Sequence, residues 1–272
     1  MELKIIGKIS LENLDRKPQR KRPEAYAPEM KRRMESLAEA ANEKFGGVVG
    51  PDGRIAMSDE DDLRYVALKE EAWARERGLS LEQYRQKQEL SDSSLAEQAV
   101  TLSLSKALGD RFLSVRSSAW DDYENGIDNL LLDTETGSLV CGFDEVVEGY
   151  GQHGQDKKAE KMMRRFRQGG ARAKYGLELS SESTGMIRIS EQRNLPAFYI
   201  SLNQTDLGDL LDGLTREEVG EAEKKVWRSL VDSLEAQLSE MKDFQTGIPE
   251  RLASNLEKSQ IFIDNLRKKL DK

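Results

Sequence analysis

Two neighbouring segments, GIDNLLLD at 126–133 and SLVCGFDEVV at 138–147, are apolar on both of their alternating faces, and the turn signal DTETG joins them. A strand that is apolar on one side needs one covering layer, whereas a strand apolar on both sides needs a layer above and a layer below. The pair therefore reads as a β-hairpin at the centre of the fold. Its anomaly is charge: Asp128 opens the first strand, and Asp144 with Glu145 comes near the end of the second.

The rest of the 272-residue chain supplies the layers. Residues 1–23 form a polar, basic lead-in containing LKII, room for one short strand, and the cluster RKPQRKRP. Residues 24–90 carry N-terminal helices packed on the core. Met30, Met34, Leu37, Ala40 and Ala41 recur at helical spacing from Pro28 to Phe45, a second helix starts behind Ser58 as N-cap and stops at Gly78, and a short third runs from Leu81 to Glu89. The core, 91–205, opens with SDSSLAEQAVTLSLSKALGD, apolar nearly all round and hence central. Glu97 lies within it, in line with Thr101, Leu104 and Leu108 instead of on a solvent face.

Strands come next at 111–117, 126–133 and 138–147, then a helix from Asp156 to Gln168, then strands at 173–179, 185–190 and 197–203. The expected fold class is α/β or α+β, with a mixed central sheet of about five to six strands flanked by helices. Residues 206–272 turn helical, and the series Val219 to Leu238 and Leu252 to Leu270 predict an antiparallel two-helix extension. Its apolar seam has three uses: packing on the core, pairing with a second copy as a homodimer, or holding a different protein partner.

Composition excludes several function classes. No apolar run approaches the ~20 residues that span a bilayer, the first residues lack a long apolar signal region, and a single cysteine, Cys141, leaves no disulfide or cysteine metal cluster. A cytoplasmic location without membrane contact is expected. The one histidine, His153, sits in a glycine-rich loop without a second ligand, which rules out multi-histidine zinc sites and serine-histidine triads. DDYENG at 121–126 imitates the start of a calcium loop, but Tyr123 and Leu132 occupy ligand positions, so no calcium is expected there. The net charge of −8 opposes general coating of nucleic acid, yet KKAEKMMRRFRQGGARAK at 157–174 is locally basic.

If the turn sets Asp133 opposite Leu139, Asp128 falls directly opposite Asp144, with Cβ atoms about 4.5–5.5 Å apart. A one-residue slip would separate them and a β-bulge would restore them. Facing carboxylates on an apolar sheet repel, and a divalent cation with oxygen ligands, Mg²⁺ or Mn²⁺, is the economical way to offset that cost. Glu97, reaching from the helix behind, would complete the group. The competing reading has the same acids at solvated strand ends, capping turns or pairing with Arg and Lys.

A helix with an inward Glu97, a hairpin with Asp128 at the head of one strand and Asp144 and Glu145 at the end of the next, then a helix: over about 91–205 this resembles the core of the PD-(D/E)XK nucleases. The resemblance implies metal-dependent hydrolysis of DNA or RNA phosphodiesters, with Asp128, Asp144 and Glu145 as metal ligands, Glu97 in support and a lysine orienting the attacking water. The sequence departs from the family pattern at Ile127, where proline belongs, and at Val146, where the lysine belongs. Lys157, Lys158 and Lys161 on the following helix are the substitutes; with Ala159, Met162, Met163 and Phe166 facing inward, Lys158 borders the inner face while Lys157 and Lys161 point away. Arg164, Arg165, Arg167, Arg172 and Lys174 would meet phosphates; Trp120, Tyr123 and Tyr150 bracket the hairpin, where core or rim packing is the expected role and stacking on bases the alternative. If no lysine reaches the acids, the alternative is a noncatalytic scaffold that binds nucleic acid or protein through a degenerate core and its C-terminal helices.

Overall fold

The structure, a computed structural model, describes residues 25–109, 111–147, 152–180, 186–244 and 247–271, with backbone alone at 152–157. The lead-in at 1–23, the turn at 181–185, Tyr150 and the side chains of His153 and Lys157 lie outside the described residues.

Three helices precede the core. α1 (Ala27–Phe45) buries Met30, Met34, Ala38, Ala41 and Phe45 along one stripe. α2 (Glu60–Glu76) starts one residue later than the Ser58 cap predicts, because the Asp59 carboxylate accepts from the N–H groups of Asp61 and Asp62. α3 (Leu81–Glu89) begins with a capping box in which Ser80 and Gln83 satisfy each other's backbone donors. α4 (Asp92–Leu108) comes after it, capped by Ser91 and buried on almost every side, Glu97 included.

The main sheet is smaller than the sequence predicts. β1 (Phe112–Arg116), β2 (Asn129–Asp133), β3 (Ser138–Val147) and β6 (Ala197–Leu202) stand in the order β1-β2-β3-β6, antiparallel except for the parallel β3–β6 pair. The other two predicted strands, β4 (Ala171–Leu179) and β5 (Ile187–Leu195), pair only with each other. Asn194 at φ 59° and Pro196, which has no N–H to donate, break the chain between β5 and β6, so β6 joins β3 while the ribbon stays apart. The crossover from β3 runs through α5 (Gln152–Arg167).

Alternation along the strands assigns the layers. Leu130 and Leu132 pack with Ala173, Tyr175, Leu177 and Ile187 of the ribbon. Leu131, Cys141 and Phe143 face the opposite way, against α4 and the helices α6 (Gln204–Gly213), α7 (Glu221–Asp243) and α8 (Glu250–Leu270). Cys141 is thus inert packing. The C-terminal seam is used within the chain: Phe262 meets Phe112 edge-on at 5.7 Å and Phe143 at 6.0 Å, all three buried. Each such ring removed from water stabilises the fold by roughly 1.5–3 kcal/mol, so these residues are committed to the sheet. No helix among the described residues is long and apolar enough to cross a membrane.

Candidate functional site

The hairpin register brings the acids together by a route the sequence allows but does not specify. At the turn Asp133 pairs with Ser138, one step from the alignment that would oppose Asp128 and Asp144. Between Leu131 and Leu132 the register shifts: Leu132 faces Leu139 while Leu131 faces Cys141, leaving Val140 as the extra residue of a bulge. Beyond it Asn129 pairs with Phe143, and the next step along the ladder sets Asp128 against Asp144. The Asp128 N–H donates to the Phe143 carbonyl at 2.7 Å, and the Glu145 N–H donates to Asp128 Oδ2 at 2.7 Å. Gly142 is required beside them, since a Cβ there would lie 2.8 Å from the Ile127 side chain.

Glu145 and Asn129 share the opposite face, toward α4. Asn129 Nδ2 donates to Glu145 Oε1 at 2.8 Å and to the Glu97 carbonyl at 3.1 Å, while Thr101 Oγ1 donates to Asn129 Oδ1 at 2.6 Å. This buried amide fixes α4 against the hairpin. Glu145 Oε2 is buried with no hydrogen-bond partner among the described residues.

Two arginines and an aspartate join the acids from elsewhere. Residues 48–56 fold back so that Arg54 bridges to Arg116 of β1. Arg116 Nη2 lies 2.6 Å from Glu97 Oε2; Arg54 Nη2 lies 3.3 Å from the same oxygen and 2.9 Å from Asp122 Oδ2. Asp122 belongs to a one-turn π-helix, Asp121–Asn125, that hangs beside the cluster. One carboxylate oxygen each from Glu97, Asp122 and Asp128 falls within 4.8 Å of the others. The calcium-loop look-alike has a structural explanation: Asp121 accepts from Asn125, Ser118 and the N–H groups of Lys174 and Tyr175, and Gly126 closes the turn at φ 53°.

From the third side comes α5. Lys158 Nζ sits 2.5 Å from Asp144 Oδ1 and donates to the Glu145 carbonyl at 3.2 Å. Lys161 also lines the cleft, against the expectation that it points away. Positions 158, 161 and 165 form one helical stripe; a Cβ at Gly126 would stand 3.1 Å from Lys161 Nζ and 3.6 Å from an Arg165 nitrogen.

Charge is distributed unevenly over this cleft of about 410 Å³. Glu97, Asp122 and Asp144 each have a basic partner, whereas neither Asp128 nor Glu145 has an ion pair among the described residues. Burial, followed by the neighbouring charges of Glu97, Glu145, Asp122 and Asp144, holds the Asp128 carboxyl well above its usual range. Burial, reinforced by Glu97 and Asp144 and opposed by the Asn129 hydrogen bond, pushes Glu145 up to about 8. Burial works against the Lys158 ammonium, but Asp144 and then Asp128 and Glu145 outweigh it and raise its pKa. The donors of the acid group are all carboxylate oxygens without histidine or thiolate, the ligand set of a hard divalent cation such as Mg²⁺ or Mn²⁺.

The predicted phosphate contacts scatter. Arg165 approaches the cleft, with Nη1 3.4 Å from the Gly126 carbonyl. Arg164 is exposed, Arg167 covers the Phe244 ring at 4.4 Å, Arg172 pairs with Glu191 at 2.9 Å, and Lys174 is held by Asp62 and lies over the Trp120 ring at 5.3 Å. The residues that sequence reasoning missed are Arg54, Asp122 and Asn129, together with Arg116. Asn129 alone had a local signal, an amide on an apolar strand face next to Asp128. Compared with known proteins, the chain matches no family model, no curated protein and no solved structure.

Proposed function

We propose that the protein is a divalent-metal-dependent nuclease, hydrolysing phosphodiesters of DNA or RNA. The observation that carries this reading is the buried pair Asp128 and Glu145, with no cationic partner among the described residues, beside a lysine that bridges Asp144 and the Glu145 backbone. The element order adds support: an acid-bearing helix, a three-stranded antiparallel meander, a helix carrying the lysine and, after the inserted β4–β5 ribbon, a strand parallel to the third.

In this reading Asp128, Asp144 and Glu145 hold the metal, with the orphaned Glu145 Oε2 gaining its missing partner. A divalent cation there would make water more acidic and offset the charge that develops on a phosphodiester. Lys158 stays protonated, because its raised pKa arises from the same acids; an ammonium only donates, so it orients water or phosphate oxygen and takes no proton. Glu97, fixed by Arg54 and Arg116, keeps those guanidinium groups in the cleft wall and sets the local charge. Arg165 offers a phosphate contact.

One observation favours a second reading, a noncatalytic nucleic-acid-binding or protein-binding scaffold: Arg54 and Arg116 already neutralise Glu97 and Asp122, as cations built into the chain. Calorimetry of Mg²⁺ and Mn²⁺ with the wild type and Asp128→Asn, then cleavage assays on single- and double-stranded DNA and RNA, separates the two. Binding that disappears in the variant, with metal-dependent cleavage, supports the nuclease; a wild type that takes up no metal leaves the scaffold.

A further inference from the structure

One wall of the cleft is a helical hairpin. Trp73 of α2, Arg77 at its C-cap and Tyr84 of α3 line the cleft together with Asp128, Asp144 and Glu145. This hairpin is fastened to its neighbours: Tyr123 Oη donates to Glu70 at 2.9 Å, Lys69 reaches the Tyr123 carbonyl at 3.2 Å and Glu124 at 2.6 Å, and Tyr175 Oη donates to Asp62 at 2.5 Å. The acids therefore share their cleft with a helical hairpin joined to the π-turn and to β4.

Size points the same way. A space of about 410 Å³ is that of a small-ligand pocket. A double helix is bound over a protein surface of roughly 1,000–2,500 Å², and its stacked pairs keep each sugar-phosphate on the outside of a wide rod. A cleft of this size holds about one nucleotide, and only an unpaired strand leaves the face of a single base free to enter it.

The lining has the two contacts such a strand requires. Trp73 is half-buried, T-shaped to Tyr123 at 4.9 Å and 79° and tilted to Tyr84 at 6.3 Å, with Lys69 Nζ over its ring at 5.7 Å; a flat base gains from stacking on the remaining ring surface whatever its sequence. Lys161 has no ion pair among the described residues. It is crowded by Arg165, and burial and that neighbour together lower its pKa. An arriving anion would relieve both effects.

We infer that the cleft takes a single nucleotide of an unpaired DNA or RNA strand, its base on Trp73 and its phosphate on Lys161 and Arg165, and that it excludes duplex. Any chemistry after binding rests on the nuclease reading, but the binding itself needs no metal. The test is fluorescence anisotropy in EDTA with a labelled oligothymidylate and with the same strand annealed to its complement, using the full chain. The single strand should bind at least about tenfold more tightly than the duplex; Trp73→Ala and Lys161→Gln should each weaken it about tenfold, and Trp73→Phe should recover most of the loss. Equal affinity for duplex, no binding of either form, or full affinity in both variants with near-ultraviolet circular dichroism unchanged would overturn the inference. Because no metal is present, these outcomes are independent of the calorimetry: the inference can fail while Mg²⁺ uptake stands, and the reverse.

Discussion

β2 has a buried aspartate at its C-terminal end and another just ahead of its first residue, and the two are treated in opposite ways. Asp133 accepts from the N–H groups of Glu135 and Thr136, at 2.9 and 3.4 Å, and pairs with Arg111 at 3.1 Å. Asp128 accepts from one N–H, that of Glu145, and has no ion pair among the described residues; four acids crowd it, and the nearby Lys158 ammonium is bonded to Asp144 instead. Burial is similar, 3% exposure against 7%, so burial does not separate a carboxylate that builds a turn from one held for a ligand. The count of donors does: Asp133 is satisfied by its own chain, and Asp128 awaits something positive.

The largest test of this contrast is pH. An unfolded glutamate titrates near 4.5 and the folded Glu145 near 8, so between those values the folded chain keeps a proton that the unfolded chain has lost. Stability should fall as pH rises through that window, by on the order of 3–5 kcal/mol, and level off above about 8. In Glu145→Gln, urea denaturation across the same range should show at least half of the slope gone, the remainder belonging to Asp128. A pH-independent wild type would break the comparison.

Next in size is the pair of aspartates themselves. Asp133→Ala strands two turn N–H groups and Arg111 and should cost about 2–3 kcal/mol in urea at pH 8. Asp128→Asn removes a repelled charge and should cost nothing, or stabilise by about 1 kcal/mol. Equal losses at both sites would mean that Asp128, too, is a structural cap. The smallest effect is thermal: Mg²⁺ at tenfold its dissociation constant should raise the wild-type Tm by about 3 °C, the rise should grow from pH 6 to pH 8 as protons leave the acids, and Asp128→Asn should show none.

Much of this site was legible because its signals are local. Period-two alternation placed Asp128 with Asp144, and the 3.6-residue period chose Lys158 over its neighbours. The same helical reasoning misplaces Lys161: Met162 and Phe166 are buried and Met163 packs half-buried against the core, yet 158, 161 and 165 share a stripe that reaches the cleft and Gly126 at its edge. Arg54 was out of reach for a different reason. It meets Glu97 and Asp122 only after a loop closes across 43 and 68 positions, and nothing in GPDGRIA reports that closure. The strands of the ribbon were found, but which edge a strand joins depends on long-range pairing, so the sheet was drawn too wide.

The extra residue at Val140 gives the hairpin two phases instead of one. At the turn the strands keep the step that suits DTETG; past the bulge they keep the step that opposes Asp128 and Asp144. Each end can therefore change without the other: a turn of altered sequence but equal length leaves the acids aligned, and deleting the bulged residue itself would leave Leu132 opposite Leu139 and Leu131 opposite Cys141, so that only the local kink and extra twist would go.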